Sequence, residues 1–422
     1  MVTEVNLLDC LYIPLGLITA PIWMRKRRDG WNQRFGRVAD MVDASGIDSQ
    51  RPRVMLHAVS VGEVNALRAI VPLLTRESTV FVSTTTDTGL ARARSLFGDA
   101  EHTHVVRYPL DCSWMVDRFL DEVRPDVVGL VELEVWPNFI KRCVSRGIPV
   151  GLINGRLSAR SFKGYRKIRP FLRPTFRRLS FACVQDQAYK DRIAAMGAQT
   201  DRVRITGTMK WDSISTEPVN EPSERARTIA HEMGVDLERP LVVAGSTGPT
   251  EESLMHESVP GEVQLIIAPR KTERFDEAAD SVPCAVRRSN GKRALPGTNR
   301  FILDTIGELS SVYELADIVV MGRSFNDQFG SDPIEPAALG KPVIIGFRYE
   351  DFESAVGLLL AEDAIRIETR ESLRDAIRQL LDDPAQRDAM GQSAQACVRA
   401  QQGASEEHAR VLLEWSRGRE SG

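Results

Sequence analysis

The chain reads as an α/β protein made of two doubly wound parallel sheets in succession, and three observations predict this. Short, wholly apolar runs of strand length alternate with helix-like segments along both halves, the pattern of a parallel sheet covered on both faces. The alternation is interrupted at Asp212 to Ser223 (DSISTEPVNEPS), which is polar, carries two prolines and has no periodicity; it reads as a linker. The length, 422 residues, is too great for one ordinary domain.

At the amino end, Val5 to Met24 (VNLLDCLYIPLGLITAPIWM) is apolar except for Asp9, and Arg25-Lys26-Arg27-Arg28 follows at once. The run is marginal in length for a transmembrane helix. It is a poor signal peptide, because its positive charge follows the apolar stretch. Residues 1–24 are therefore expected to be an uncleaved anchor, spanning the bilayer or lying in its interface, with the body kept cytoplasmic by the basic residues. A buried amino-terminal helix is the plainer alternative. The net charge of −3 excludes general affinity for nucleic acid, so any anionic partner must meet a local patch. Six scattered cysteines without a C-x-x-C suggest reduced thiols rather than a metal or disulfide framework.

The first strand-like run, Val54-Met55-Leu56, feeds the small residues Ser60 to Gly62, and a helix is predicted over Glu63 to Ile70. In doubly wound sheets ligands gather at the carboxyl ends of strands. Glu63 thus falls at a helix start facing such a crevice, where the helix dipole favours its ionised form. It is a candidate general base; the bland reading is a first-turn Glu that stabilises its own helix. Further strand runs are Thr79–Val82, Val127–Val131, Val150–Ile153 and Phe181–Val184, with helices at Ser113–Val123 and Phe139–Ser145 between them. The cluster Glu132-Leu133-Glu134-Val135-Trp136-Pro137-Asn138, which follows Val127–Val131, sets carboxylates at another strand end. Glu132 there either shares the crevice of Glu63 or pairs structurally with an Arg.

Between Lys141 and Arg178 the chain has twelve basic residues and no Asp or Glu, interleaved with aromatic and aliphatic residues. Such a run is usually a solvated face. Guanidinium groups pair bidentately with phosphate, so an anionic headgroup or phosphorylated acceptor is the partner this segment suits.

The second half repeats the alternation, with strands at Pro240–Thr247, Val263–Arg270, Ile318–Gly322 and Pro342–Gly346. Gly330-Ser331-Asp332-Pro333 reads as a helix entry in which Asp332 caps and Pro333 takes the first helical position. Amides at such a start suit a phosphate, and Glu335 one turn in suits ribose hydroxyls. Ser372 to Trp415 is helical, broken at Pro384 and near Gly403. The chain contains no D-x-D, no H-x-x-x-H and no P-loop, which argues against a metal-diphosphate transferase or an NTPase.

Taken in order, HAVSVGE (57–63), the Thr88-Gly89 pair, ELEVWPN (132–138), NGRLSARSFKGY (154–165), TGTMKWD (206–212) and AGST (244–247) carry a resemblance over nearly the whole length. PRKTERF (269–275), DTIGEL (304–309), YELAD (313–317) and DPIEPAALGKPV (332–343) continue it. The chain resembles the 3-deoxy-D-manno-octulosonic acid (Kdo) transferases of lipid A biosynthesis. That resemblance implies a GT-B fold, two Rossmann-like domains facing a central cleft. It divides the chain into an anchor (1–24), an acceptor-binding domain (25–212), a linker (213–223) and a nucleotide-sugar domain (224–400). Residues 401–422 are then a terminal helix packing back on the first domain.

It also implies an inverting, metal-independent transfer of Kdo from CMP-Kdo to the phosphorylated lipid A precursor, at the cytoplasmic face of the inner membrane. No cofactor, metal or nucleic acid is implied, and the membrane surface is itself a partner. By resemblance Glu63 is the base, and Glu132 and Lys210 stabilise the transition state. CMP contacts fall on Pro269 and Arg270, on Ile306, Gly307 and Glu308, and on Asp332, Pro333, Ile334 and Glu335. The basic segment, Arg156 and Arg160 above all, suits the acceptor phosphate. Departures cluster in the second half: Gly248, Lys271 and Ser331 stand where the family usually has histidine, Arg323 where it has glycine, and Asp332 where it has asparagine. Two other classes share the coarse pattern: a GT-B enzyme or epimerase acting on a UDP-sugar, and a non-catalytic protein binding anionic lipid.

Overall fold

The computed structural model describes residue 9 and residues 30–42, 48, 50–216 and 221–418. The expected anchor (1–24) lies outside the described residues except for Asp9, as does part of the expected linker. Among the described residues no helix is long and apolar enough to cross a membrane. The chain folds as two compact units. One holds the chain up to Ser213 together with Gln402 onward; the other runs from Ile214 to Gln401.

The first unit is a parallel sheet of order β3-β2-β1-β4-β5-β6-β7. Its strands are β1 (Arg53–His57), β2 (Thr79–Thr84), β3 (Thr103–Arg107), β4 (Val127–Val131), β5 (Val150–Gly155), β6 (Phe181–Val184) and β7 (Val203–Ile205). Every residue of β2, β4, β5 and β6 is buried, as expected when helices cover both faces. Those helices include Ser113–Val123, Pro137–Ser145 and, from the far end of the chain, Ala404–Arg417. Chain order reverses between β1 and β4, and there the strands diverge to opposite sides of the sheet. Such a switch point is where an α/β sheet opens a crevice.

The helix expected over Glu63 to Ile70 is broken. The chain forms Val61–Ala66, turns at 67–69, and resumes as Ile70–Thr75. Pro72 explains the break, since it has no N–H for the Arg68 carbonyl four residues earlier and its ring clashes there.

The terminal helix Ala404–Arg417 closes this unit. Asp212 accepts hydrogen bonds from the amides of Gly403 (2.7 Å) and Ser405 (2.5 Å) at its start. One turn on, buried His408 accepts from the Asn154 amide at Nε2 (2.8 Å) and donates from Nδ1 to the Ala404 carbonyl. Burial holds this imidazole below its ordinary range, so it is neutral with the proton on Nδ1. Further along, Leu412 lies fully buried against β4 at Gly129, where an added Cβ would stand 3.2 Å from its Cδ2.

The second unit is also a parallel sheet, of order β10-β11-β9-β8-β12-β13-β14. Its strands are β8 (Leu241–Thr247), β9 (Gln264–Pro269), β10 (Val286–Arg287), β11 (Arg300–Ile302), β12 (Ile318–Met321), β13 (Val343–Gly346) and β14 (Ile365–Glu368). Chain order reverses between β8 and β12. The short strands β3, β7, β10, β11 and β14 went unrecognised in the sequence because they are brief, polar or at the sheet margins.

Candidate active site

Five candidate residues of the first unit follow the carboxyl ends of four strands, three of them adjacent in the sheet. Glu63 follows β1, Glu132 and Glu134 follow β4, Arg156 follows β5, and Lys210 follows β7. The switch between β1 and β4 therefore brings carboxylates from segments some seventy residues apart in the chain to one edge of the sheet.

Glu63 is held by a capping box. Ser60 Oγ accepts from the Glu63 amide (3.3 Å) and donates to Oε1 (2.7 Å), while Oε2 accepts from the Val59 amide (2.9 Å). The bland reading of Glu63 is thus true of its backbone and its orientation. It does not exhaust the side chain: a carboxylate has about four acceptor sites, and Glu63 is half-buried rather than enclosed.

Glu132 takes a left-handed backbone conformation at φ 56°, uncommon for a residue with a side chain. Its amide still donates to Ile153 (3.0 Å), which continues the β4–β5 pairing while the chain turns away. Burial, and then the neighbouring Glu63 carboxylate, raise the Glu132 pKa; Arg156 and Lys210 act in the opposite sense. The alternative of a structural Glu132–Arg pair is not what forms. Arg156 lies in the electrostatic surroundings of Glu132 together with Lys210, in a mixed-charge cluster.

Glu134 belongs to the same cluster and was not singled out from the sequence. Its Oε2 accepts from the Trp136 indole Nε1 (2.9 Å). Burial, and then Glu63 and Glu132, push its carboxyl up to about 7 despite that hydrogen bond. The E-x-E spacing was the available signal. What it could not convey is that both acids stand near Glu63, whose carboxylate raises the pKa of each.

Lys210 is exposed, but its loop is not free. Asn154, fully buried and itself at φ 52°, accepts from the Met209 amide (3.2 Å) and from Gln185 Nε2 (3.2 Å) through one oxygen. Asn154 thereby fixes the Lys210 loop to the end of β5. Arg160 lies one helical turn beyond Arg156, exposed in helix Ala159–Lys167. The start of the basic run is not a free cationic face: Arg142 and Arg146 pair with Asp117, and Arg146 also with Asp121. Beyond it, Ile168 and Phe171 are exposed among the arginines, Phe171 at 84%.

In the second unit the expected nucleotide residues also lie on the carboxyl edge. Pro269 ends β9 and is buried; Arg270 follows it, exposed. Ile306, Gly307 and Glu308 follow β11, and Asp332 to Glu335 lie between β12 and β13. Arg270, Glu335 and Asp332 all act on the phenol of Tyr313, whose pKa is raised chiefly by burial. Ser310 Oγ donates to Glu335 Oε1 (2.5 Å), joining two of these loops. The Glu308 carboxylate is engaged by Arg288 (3.1 Å to each oxygen) and by Thr305; although burial opposes ionisation, these partners hold its pKa low.

The helix entry differs in detail from the expectation. The helix is Ile334–Ala338, with Pro333 at the N-cap and Asp332 Oδ1 accepting from the Ile334 amide (3.1 Å). Asp332 closes a tight two-residue turn of its own, so Pro333 stands one position earlier than predicted and the first helical amide is already used.

The departures have a local structure. Buried Glu251 accepts from the amides of Gly248 (2.7 Å), Arg323 (2.6 Å) and Phe325 (2.9 Å), drawing the loops after β8 and β12 together. A Cβ at Gly248 would meet Gln328 Oε1 at 2.7 Å and Asn326 Nδ2 at 2.8 Å. Two amide side chains therefore fill the space beside Gly248. Arg323 sits at φ 60° and donates from Nη2 to the Gln328 carbonyl (2.9 Å).

Comparison with known proteins adds to this geometry. A family model of 3-deoxy-D-manno-octulosonic-acid transferase (kdotransferase) matches residues 29–213, and one of group 1 glycosyl transferases matches residues 292–396. The chain is 31% identical to the 3-deoxy-D-manno-octulosonic acid transferase of Bordetella pertussis, over 94% of this chain and 96% of that one. It is 29% identical to the Haemophilus influenzae protein of the same name, over 83% and 84% respectively. Among solved structures it is similar to the UDP-GlcNAc 2-epimerase of Neisseria meningitidis bound to UDP-GlcNAc, with TM-score 0.59 and 14% identity, over 86% of this chain and 100% of that one. That last likeness is one of fold, the two-domain GT-B architecture.

Proposed function

Because this chain belongs to the 3-deoxy-D-manno-octulosonic acid transferase family, and is thus a glycosyltransferase, we propose that it moves Kdo from CMP-Kdo to a phosphorylated lipid A precursor with inversion. The observation that supports the chemistry best is the carboxylate cluster at the β1/β4 switch point of the first unit. Glu63, oriented by Ser60 and the Val59 amide, takes the proton from the acceptor hydroxyl as that oxygen attacks the anomeric carbon of Kdo. Its helix-start position favours the ionised form a base requires.

Lys210 supplies positive charge where the leaving phosphate departs, and Glu132 offsets the positive charge that develops on the sugar. Glu134, whose carboxyl titrates near neutrality, can keep its proton beside two other acids and donate a hydrogen bond instead of adding a third negative charge. The second unit holds CMP through Arg270 and the loops at 306–308 and 332–335. A monophosphate leaving group carries less charge than a diphosphate, so side chains and amides suffice where diphosphate donors call for a metal. Arg156 and Arg160 hold the acceptor phosphate.

The same reading puts the enzyme at the cytoplasmic face of the inner membrane, with the exposed basic and apolar side chains around Ile168 and Phe171 against the bilayer. Incubation with CMP-Kdo and tetraacylated lipid A precursor, followed by mass analysis, tests the proposal. A product heavier by one or more Kdo units is expected. Unchanged acceptor, under conditions where CMP stabilises the protein, would refute it.

A further inference from the structure

Asp9 is the one acid in the apolar stretch from Val5 to Met24, and its carboxylate is buried in the first unit at 2% exposure. A buried carboxylate is costly unless hydrogen-bonded. Asp9 Oδ1 accepts from the Ser113 amide (2.9 Å) and from Asn138 Nδ2 (3.0 Å). Ser113 opens helix Ser113–Val123, whose own N-cap residue, Cys112, provides no side-chain cap. Asp9 supplies one from 104 positions earlier in the chain. Asn138 lies in the first turn of helix Pro137–Ser145. It is fully buried and donates as well to the Asp111 carbonyl (2.7 Å), while Asp111 accepts from the amides of Asn138 (3.1 Å) and Phe139 (2.7 Å).

This second helix begins at the residue after Trp136. The segment Glu132 to Trp136, which carries two of the three acids, therefore spans only five residues between the end of β4 and a helix start that Asp9 and Asp111 clamp. Its front end is fixed by the Glu132 amide on Ile153 (3.0 Å). We infer that Asp9 is a positioning residue for the Glu132–Trp136 loop: its carboxylate holds the helix start that fixes the rear of that loop. The consequence for turnover rests on the function proposed above; the mechanical link does not.

The test uses the full chain with Asp9→Ala, Asp9→Asn and Asn138→Ala. In Asp9→Ala, amide hydrogens of residues 132–139 exchange at least tenfold faster than in the wild type. Asp9→Asn, whose side-chain oxygen still accepts both bonds, keeps most of the protection. Asn138→Ala removes the second arm together with the Asn138 bond to the Asp111 carbonyl and leaves the Ser113 arm intact, so it frees residues 132–139 and leaves 113–116 protected; protection of 132–139 that survives this variant overturns the inference even if Asp9→Ala does not fold. Wild-type exchange at 132–139 in both alanine variants would overturn the inference, as would equal losses in Asp9→Asn and Asp9→Ala. With CMP-Kdo and lipid precursor, kcat falls about tenfold in Asp9→Ala, KM for CMP-Kdo is unchanged, and Asp9→Asn recovers the rate. A wild type without transfer activity would refute the proposed function and leave the exchange result standing.

Discussion

Glu63 and Glu132 stand on loops that leave the adjacent strands β1 and β4, and after burial the Glu63 carboxylate is the largest cause of the raised Glu132 pKa. A negative neighbour disfavours ionisation of Glu132, so the two acids suit different roles. Glu63, at a helix start and accepting hydrogen bonds from Ser60 and the Val59 amide, is the one that the proposed mechanism takes as base.

Glu63→Gln is expected to lower transfer by about 10²–10⁴-fold, the usual contribution of a general base. Glutamine still serves in a capping box, so the melting temperature and CMP binding are expected to stay near wild type. Turnover within a few-fold of wild type would remove Glu63 from the mechanism.

Glu134→Gln separates the third acid by pH. The Glu134 carboxyl is raised from the usual range near 4.5 to about 7, by burial first and by Glu63 and Glu132 next. A carboxyl raised in the folded state stabilises fold below its unfolded pKa, and that stability is lost as pH rises toward 7. The variant is neutral at every pH. It is therefore expected to melt close to wild type at pH 4.5 and a few degrees higher at pH 8. A melting difference that is the same at both pH values would show that Glu134 ionises normally.

Much of this was legible in the sequence for a simple reason. Strands buried on both faces are continuous apolar runs, so β1, β2, β4, β5, β6, β8, β9, β12 and β13 announced themselves. Glu63, Glu132, Lys210 and Arg270 stood out as candidates because each follows a strand or stands in a recognisable motif. Long-range placement was not legible. Nothing local in Asp9 says that it caps a helix at Ser113, nor in Asn154 that it holds the Lys210 loop. Nothing in Arg142 and Arg146 says that acids on another helix neutralise them, so the basic run looked longer than the face it forms. The break before Ile70 was legible in Pro72 and was missed because the apolar periodicity continues across it.

Leu412→Ala tests the return of the chain to the first unit. The side chain is fully buried on β4 beside Leu56, Ile153 and Gly129. Removing it is expected to cost about 2–5 kcal/mol, the range for a large-to-small change in a packed core. The loss falls on the unit that contains β1–β7, so calorimetry with CMP present is expected to show one destabilised transition and undiminished stabilisation by the nucleotide. Unchanged melting would mean that helix Ala404–Arg417 adds little to that core.

Arg156 and Arg160 test how the acceptor is held. Both are exposed, one following β5 and the other in the first turn of the next helix, and Arg156 also acts on Glu132. If they meet the acceptor phosphate, replacing either by Ala is expected to raise KM for the lipid precursor and leave KM for CMP-Kdo nearly unchanged. A charge-assisted hydrogen bond of about 1.5–3 kcal/mol corresponds to a loss of roughly ten- to a hundredfold in kcat/KM. Arg160→Ala is expected to act on KM alone, since no contact among the described residues ties it to the carboxylates. Arg156→Ala is expected to lower kcat as well, because removing a cation near Glu132 raises that acid's pKa further and leaves less of it ionised. Lysine at either position recovers only part of the loss, for a point charge lacks the two-pronged guanidinium geometry. Raising salt weakens acceptor binding in the wild type by screening, and does so less in the alanine variants. Equal changes in both KM values would instead mark a structural arginine, and no change would return the segment to a merely solvated face.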